Sequence, residues 1–217
     1  MLHYFKKLLS IPSFYHYSRQ ILLLGMPLRN WAEIGNYYVD DERIADVGCG
    51  PSDILRYINP QKKPAFYLGI DLSKEYLNYG EIRARKLKLD SKFIEMNLNF
   101  LSKDQSVDRK FIDGLSENKI STVNLFGVLH HIDDQSVIAT LDAVYSAGCV
   151  RSVNTQDVLI NDNAINNFFV KLDRGEHVRT EAQYDELLGK TKWNKIEKLW
   201  TRAGLHAVRY IHYKLLR

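Results

Sequence analysis

The chain has 217 residues, of which 45% are hydrophobic and 26% charged, with a formal net charge of +4. That is the composition of a soluble globular protein with enough chain for one sizeable core. The basic residues are scattered, with no run of five or six, which speaks against a nucleic-acid surface, and two cysteines are too few for a disulfide framework or a zinc site.

Reduced thiols fit a cytoplasmic protein. The apolar run 21–28 is too short to span a bilayer, and it lies too far in, behind Tyr15, His16 and Arg19, for a signal peptide. In chain order, Leu2, Phe5, Leu8 and Leu9 recur at helical spacing with Lys6 and Lys7 between them, and Pro12 ends the run. This helix over 1–11 is either a packing or lid segment or a weak membrane-surface contact. Two more helices are expected at 13–24 and 28–38, the second with Trp31, Ile34 and Tyr38 on one face. Apolar runs at 43–47 and 66–70 read as strands, separated by a glycine turn and a helix over 52–58 that stops at Asn59-Pro60. Ser73 caps a helix over 74–87. A strand at 92–95 precedes a polar stretch with a short helix at 106–113. Val123 and Leu125 alternate with Thr122 and Asn124 in a strand at 121–126, and Val137, Leu141 and Val144 stripe a helix over 134–147. A fifth strand is expected at 149–153, then a polar loop over 154–167 that leads into a helix at 163–172. A helix at 183–189 and two strands within 194–215, turning at Arg202-Ala203-Gly204, follow. Strands alternating with helices specify an α/β fold with a parallel sheet.

The densest chemical signal is the turn after the first strand, Asp46-Val47-Gly48-Cys49-Gly50-Pro51-Ser52-Asp53. Glycines at 48 and 50 let the backbone take conformations closed to other residues and approach a ligand. Asp71, twenty-one residues past Gly50, ends the second strand, where a carboxylate is placed to hold a ribose diol. Turn and acid together point to a nucleoside-containing cofactor. A dinucleotide fingerprint would carry a third glycine where Asp53 stands, and a carboxylate beside a helix N-terminus would repel a pyrophosphate. No P-loop motif is present. With Asp46 adding a negative charge, the pocket suits a cation such as S-adenosylmethionine, which carries an ammonium and a sulfonium.

Asp46-Val47-Gly48-Cys49-Gly50-Pro51 resembles the first motif of class I S-adenosylmethionine-dependent methyltransferases, and Asp71 resembles their ribose-binding acid. Leu125-Phe126-Gly127-Val128-Leu129-His130-His131-Ile132-Asp133-Asp134 resembles the segment after their fourth strand. The likeness extends to small bacterial single-domain members that share an N-terminal helix and an Asp-Arg-Gly-x-x-Val-Arg-Thr segment, here Asp173 to Thr180. It implies an α/β, Rossmann-like, doubly wound seven-stranded sheet with a reversed final strand, plus N-terminal helices. The whole chain, 1–217, is then one domain. A helical cover spans 1–40, a cofactor-binding core 41–155, and a substrate-side insertion with the C-terminal strand pair 156–217. The resemblance also implies methyl transfer from S-adenosylmethionine, leaving S-adenosylhomocysteine. Gly48, Cys49, Gly50 and Pro51 would shape the turn against the methionine part, and Asp46 would bind its ammonium directly or through water. Asp71 would hold the ribose, Leu72 would pack on adenine, and Asn97 would contact the adenine edge. Leu125, Phe126 and Gly127 would close the other side. The chain departs from the family where Asn97 replaces an acid, and where Ala147-Gly148 and then Arg151 replace a Pro-Gly-Gly-type turn and an apolar strand.

His130 and His131 lie just past the fourth strand, where cofactor and acceptor should meet, and histidine titrates in the range of a general base. Adjacent residues there point apart, so one of the two faces the pocket, His130 by preference; the alternative is that both pack structurally. Asp133 and Asp134 stand near, but no metal site is expected. Asp173, Arg174, His177, Arg179 and the following Tyr184 either recognise an anionic acceptor, since Arg pairs bidentately with carboxylate or phosphate, or form a turn pinned by local salt bridges. Trp31 either lines the pocket or sits in the core. The expected acceptor is a small molecule or a glycan or lipid precursor, methylated at oxygen or nitrogen. Asn124-Leu125-Phe126-Gly127 stands where an Asn-Pro-Pro-Tyr-type motif would mark methylation of a base amino group, so nucleic acid is not the expected target. A non-catalytic methyltransferase-fold binding protein is the rival, and a nicotinamide oxidoreductase is disfavoured by Asp53.

Overall fold

The computed structural model describes residues 42–58, 63–101, 103–172, 175–203 and 208–217. The helices expected within 1–38, Trp31 among them, lie outside the described residues, as do Asp173 and Arg174. The elements run β1 (Arg43–Val47), β2 (Phe66–Asp71), α1 (Lys74–Lys86), β3 (Ser91–Glu95), α2 (Gln105–Glu117), β4 (Thr122–Phe126), α3 (Asp134–Ser146) and β5 (Ser152–Ile160). They continue with α4 (Ala164–Leu172), β6 (Arg179–Thr180), α5 (Glu181–Gly189), β7 (Lys195–Ala203) and β8 (Val208–Leu216).

Among the described residues, seven strands form the main sheet in the order β3-β2-β1-β4-β5-β8-β7, and the two-residue β6 pairs alongside β5. The first five pair in parallel, whereas β8 runs antiparallel to both β5 and β7. The doubly wound sheet with its reversed last strand is thus the one expected from sequence. Parallel strands are covered on both faces, and alternate residues of β1 and β2 go to different cores. Ala45, Val47, Leu68 and Ile70 join Phe111 and Leu115 of α2, Val137, Leu141 and Val144 of α3, and Tyr184 and Leu187 of α5. Ile44 and Tyr67 turn the other way, to Ile54, Leu55, Ala84 and Leu89. Each valine, leucine or isoleucine among them contributes roughly 1.5–3 kcal/mol on burial. Among the described residues no helix is long and apolar enough to cross a membrane.

Three elements differ from the sequence expectation. In place of a helix over 52–58 there is a single 3-10 turn, Asp53–Arg56, entered from Ser52 in a left-handed conformation (φ 53°). The α2 helix extends to Glu117, launched by Asp104, whose side chain accepts from the Ser106 N–H. The largest difference is β5, which covers 152–160 rather than 149–153. Its Asn154, Thr155, Gln156 and Asp157 are polar, and the stretch reads as a loop. Between β4 and β8, however, its backbone is laddered on both edges, and Asn154 Nδ2 donates to Asn124 Oδ1 at 3.0 Å, while Asn154 Oδ1, Thr155 Oγ1 and Gln156 Oε1 are buried with no partner among the described residues.

Candidate active site

The turn after β1 sits where the parallel strands end, at the side of the sheet where doubly wound folds bind ligands. Gly48 and Cys49 donate their backbone N–H groups to the Ile70 carbonyl (2.7 and 3.0 Å), tying the turn to β2. Gly48 has φ +72°, and a Cβ there would meet Val128 Cγ2 at 2.4 Å, so the turn and the loop after β4 approach through a gap only glycine leaves open. From α1, Arg83 donates to the Pro51 carbonyl and pairs with Asp53 at 2.8 Å.

Asp71 closes β2 with both carboxylate oxygens oriented by backbone. Oδ2 accepts from Gly50 N and Oδ1 from Ser73 N, each at 2.8 Å. Ser73 in turn caps α1 by accepting from Tyr76 N. Asp46 is buried, and its Oδ2 accepts from the Tyr67 hydroxyl at 2.7 Å. The same phenol oxygen is 3.0 Å from Ser52 Oγ. Burial pushes the Asp46 carboxyl up to about 7; the Tyr67 hydrogen bond opposes this and the Asp71 charge adds to it. Burial likewise raises the Cys49 thiol, so this cysteine is a neutral wall of the site.

The loop from β4 to α3 forms another wall. Gly127 donates to the Gln156 carbonyl, and a 3-10 turn spans Leu129–His131. Here the structure reverses the preference between the two histidines. His130 is 2% exposed, its Nδ1 bonds the buried Asp157 and its N–H donates to Asp157 Oδ2 at 3.2 Å. His131 is exposed and lines the cavity, its ring centroid 4.0 Å from that of His130 and the two planes tilted by 40°. A Cβ on Gly175 would lie 2.0 Å from the His130 ring, and the His177 N–H donates to the His130 carbonyl at 2.9 Å.

The other described residues expected on the acceptor side go elsewhere. Arg179 is buried. Its Nη1 donates to the Leu129 carbonyl at 2.6 Å, its Nη2 to that of Ile132 at 2.9 Å, and its Nε to Asp134 Oδ1 at 2.8 Å. It therefore clamps the loop instead of reaching out to an anion. Tyr184 lies in the core with its hydroxyl on the Val158 carbonyl at 3.2 Å. His177 is exposed and is not among the lining residues of the cavity. Leu125 is fully buried on the α3 side, so only Phe126 and Gly127 of that trio reach the cavity.

These walls enclose a cavity of ≈ 540 Å³, lined by Asp46, Gly48, Cys49, Gly50, Pro51, Asp71, Leu72, Asn97, Phe126, Gly127 and His131, all expected from sequence. Leu72 is 64% exposed at the rim. Asn97 Oδ1 accepts from Asn99 N at 3.0 Å, which orients the amide. Sequence reasoning missed Tyr76, Met96, Val128 and Glu75, which also line it, and Tyr67 behind it. Tyr67 shares a face of β2 with Asp71, so period-two alternation from Asp71 was the available signal; Asp157 had none, since its strand reads as a loop.

Residues 45–150 match the family model described as a methyltransferase domain. They form a class I S-adenosylmethionine-dependent methyltransferase domain. No curated protein matches the chain. Among solved structures, the methyltransferase is similar to the 1,6-didemethyltoxoflavin-N1-methyltransferase of Burkholderia thailandensis, solved with 1,6-didemethyltoxoflavin and S-adenosylhomocysteine. That likeness covers 100% of this chain and 90% of the other, at 14% identity and a TM-score of 0.66. Magnesium protoporphyrin IX methyltransferase of Synechocystis, with bound S-adenosylhomocysteine, is similar over 87% and 82% at 14% identity and a TM-score of 0.60. A SAM-dependent methyltransferase of Aquifex aeolicus is similar over 92% and 93% at 15% identity and a TM-score of 0.56. The cavity fits the cofactor these proteins share. Among the described residues, Asp46, Asp53, Asp71 and Glu75 line it and no lysine or arginine does, which suits a cation and opposes a pyrophosphate.

Proposed function

We propose that the methyltransferase modifies a small molecule, or a glycan or lipid precursor, at an oxygen or nitrogen atom, and that His131 takes the acceptor's proton. The observation that carries this is the placement of His131, which lines the cavity and is open to solvent where an arriving acceptor would enter. Bound S-adenosylmethionine supplies a methyl group on a positively charged sulfur. The chain's part is to hold both partners in line and keep water out. Asp46 meets the ammonium, Asp71 takes the ribose diol on its remaining lone pairs, and Leu72 and Phe126 pack on the adenine. Asn97 meets the adenine edge with its amide, already oriented by Asn99. His130, fixed by Asp157, backs the His131 ring and sets its angle.

Calorimetric titration of the full chain with S-adenosylmethionine, S-adenosylhomocysteine and NAD tests the cofactor half. Both adenosyl ligands should bind and NAD should not, and Asp71→Ala should weaken binding roughly 10–100-fold, the worth of hydrogen bonds to a charged group. Incubation of methyl-labelled cofactor with cell extract tests the acceptor half. Label should enter the acid-soluble or the organic-extractable fraction, more slowly with His131→Ala at unchanged cofactor affinity. Label confined to precipitable nucleic acid or protein would overturn the acceptor class.

A further inference from the structure

We infer that Tyr67 is a positioning residue of the cofactor pocket, whose single buried hydroxyl fixes both the Asp46 carboxyl and the Ser52 corner of the glycine turn. The inference rests on the role of Asp46 in holding the cofactor's ammonium proposed above.

Tyr67 has no solvent exposure, and its oxygen lies 2.7 Å from Asp46 Oδ2 and 3.0 Å from Ser52 Oγ. A phenol has one proton. The carboxylate is the stronger acceptor and takes it, so the Ser52 hydroxyl donates to the phenol oxygen and the chain runs Ser52 to Tyr67 to Asp46. Ser52 is buried in a left-handed conformation where glycine would be easier, and only a side chain there supplies the donor. The surroundings hold the phenol in place. A Cβ on Gly80 would lie 2.7 Å from Ser52 Oγ, one on Gly69 would lie 2.5 Å from the Phe93 ring, and that ring sits 5.7 Å from the Tyr67 ring. Three segments, β1, β2 and the turn, thus meet at one oxygen.

The consequence is chemical as well as geometric. Asp46 is faced by Tyr67 and Asp71 from β2 and by Cys49 from the turn, and Asp53, Glu75 and His131 line the same cavity. Burial favours its neutral form, which cannot meet an ammonium, and the Tyr67 hydroxyl is the neighbour that favours the carboxylate. Tyr67 therefore supports the ionised state that binding requires.

The test is calorimetry of the full chain with S-adenosylmethionine and S-adenosylhomocysteine, from mildly acid to alkaline pH, for wild type, Tyr67→Phe, Ser52→Ala and Asp46→Asn. Tyr67→Phe should bind about tenfold more weakly at neutral pH, the loss of one hydrogen bond to a charged group. Its affinity should recover towards wild type in alkali, because the midpoint of the pH dependence moves up. A phenol that only packs would weaken binding equally at every pH. Ser52→Ala should shift the midpoint the same way by less, and it decides the matter if Tyr67→Phe fails to fold in a thermal melt. Asp46→Asn should lose both affinity and pH dependence. Wild-type binding by Asp46→Asn would overturn the cofactor role of Asp46 and this inference with it. Weak binding by Asp46→Asn beside an unmoved affinity and midpoint in the Tyr67 and Ser52 variants would overturn the inference alone.

Discussion

Gly48 and Gly50 are both in the left-handed region, at φ +72° and +51°, yet the cost of replacing them differs. At Gly50 an added Cβ meets nothing nearer than Tyr76 at 4.0 Å, so alanine costs only the backbone strain, about 1–2 kcal/mol. At Gly48 the same strain adds to a 2.4 Å clash with Val128 Cγ2, and Val128 is packed from behind. Displacing it costs a further ~1–3 kcal/mol. Urea unfolding should therefore rank Gly48→Ala well below Gly50→Ala in stability. Because Val128 also lines the cavity, Gly48→Ala should additionally lose cofactor affinity. Equal destabilisation by the two would show that the loop after β4 yields freely. The glycine spacing was legible in the sequence because a turn of this kind needs those residues wherever the chain goes. The contact with Val128, eighty residues on, was not.

The loop between β4 and α3 is the element that shapes the site, and it is held mainly from outside itself. Asp133 caps α3 through the Ser136 N–H at 2.7 Å, but the carbonyls of Leu129 and Ile132 are satisfied by Arg179 from β6. The Asp-Arg-Gly-x-x-Val-Arg-Thr segment stands out in the sequence as charged, and charge suggests a ligand. In the fold its Arg179 is buried and its Gly175 lies against the His130 ring, so much of the pattern records a packing requirement. Sequence periodicity cannot separate these readings, because a buried arginine bonded to carbonyls and an exposed one awaiting an anion look alike. Arg179→Ala should destabilise by about 3 kcal/mol, since it leaves two buried carbonyls without their donors. Arg179→Lys should recover little of this, because an ammonium cannot fork across Leu129, Ile132 and Asp134. Denaturant midpoints check both; a silent Arg179→Ala would return the residue to the acceptor side.

Across the whole molecule the parallel order, the reversed β8 and the position of the cavity were legible, because strand–helix alternation and a glycine turn constrain topology strongly. The polar residues of β5 were not, since their burial depends on two neighbouring strands rather than on local pattern. That polar interior has a consequence for stability. His212 of β8 is buried beside Thr201 Oγ1 (2.7 Å), and burial lowers its pKa to about 4. The unfolded chain takes up this proton below about pH 6.5, the folded one only near 4, so stability falls as pH drops through that window, by up to about 3 kcal/mol. Asp46 acts in the opposite sense. Its folded pKa is raised to about 7, so its favourable contribution is complete below about pH 4 and is lost as pH rises to about 7. Asp104 and Asp133, held low by hydrogen bonds to Ser106 and Ser136, act below both windows. The two buried groups lie on β1 and β8, with β4 and β5 between them, roughly 14 Å apart at normal strand spacing, far enough to act additively. Cofactor-free wild type should therefore show a nearly flat stability between about pH 4 and 6.5. His212→Gln should tilt it downward with rising pH and Asp46→Asn upward, read as urea midpoints at several pH values. Saturating S-adenosylmethionine, which selects the ionised Asp46, should cancel the Asp46 slope in the wild type but leave that of His212. If the cofactor moved both slopes, Asp46 would not be the group that binding and folding share.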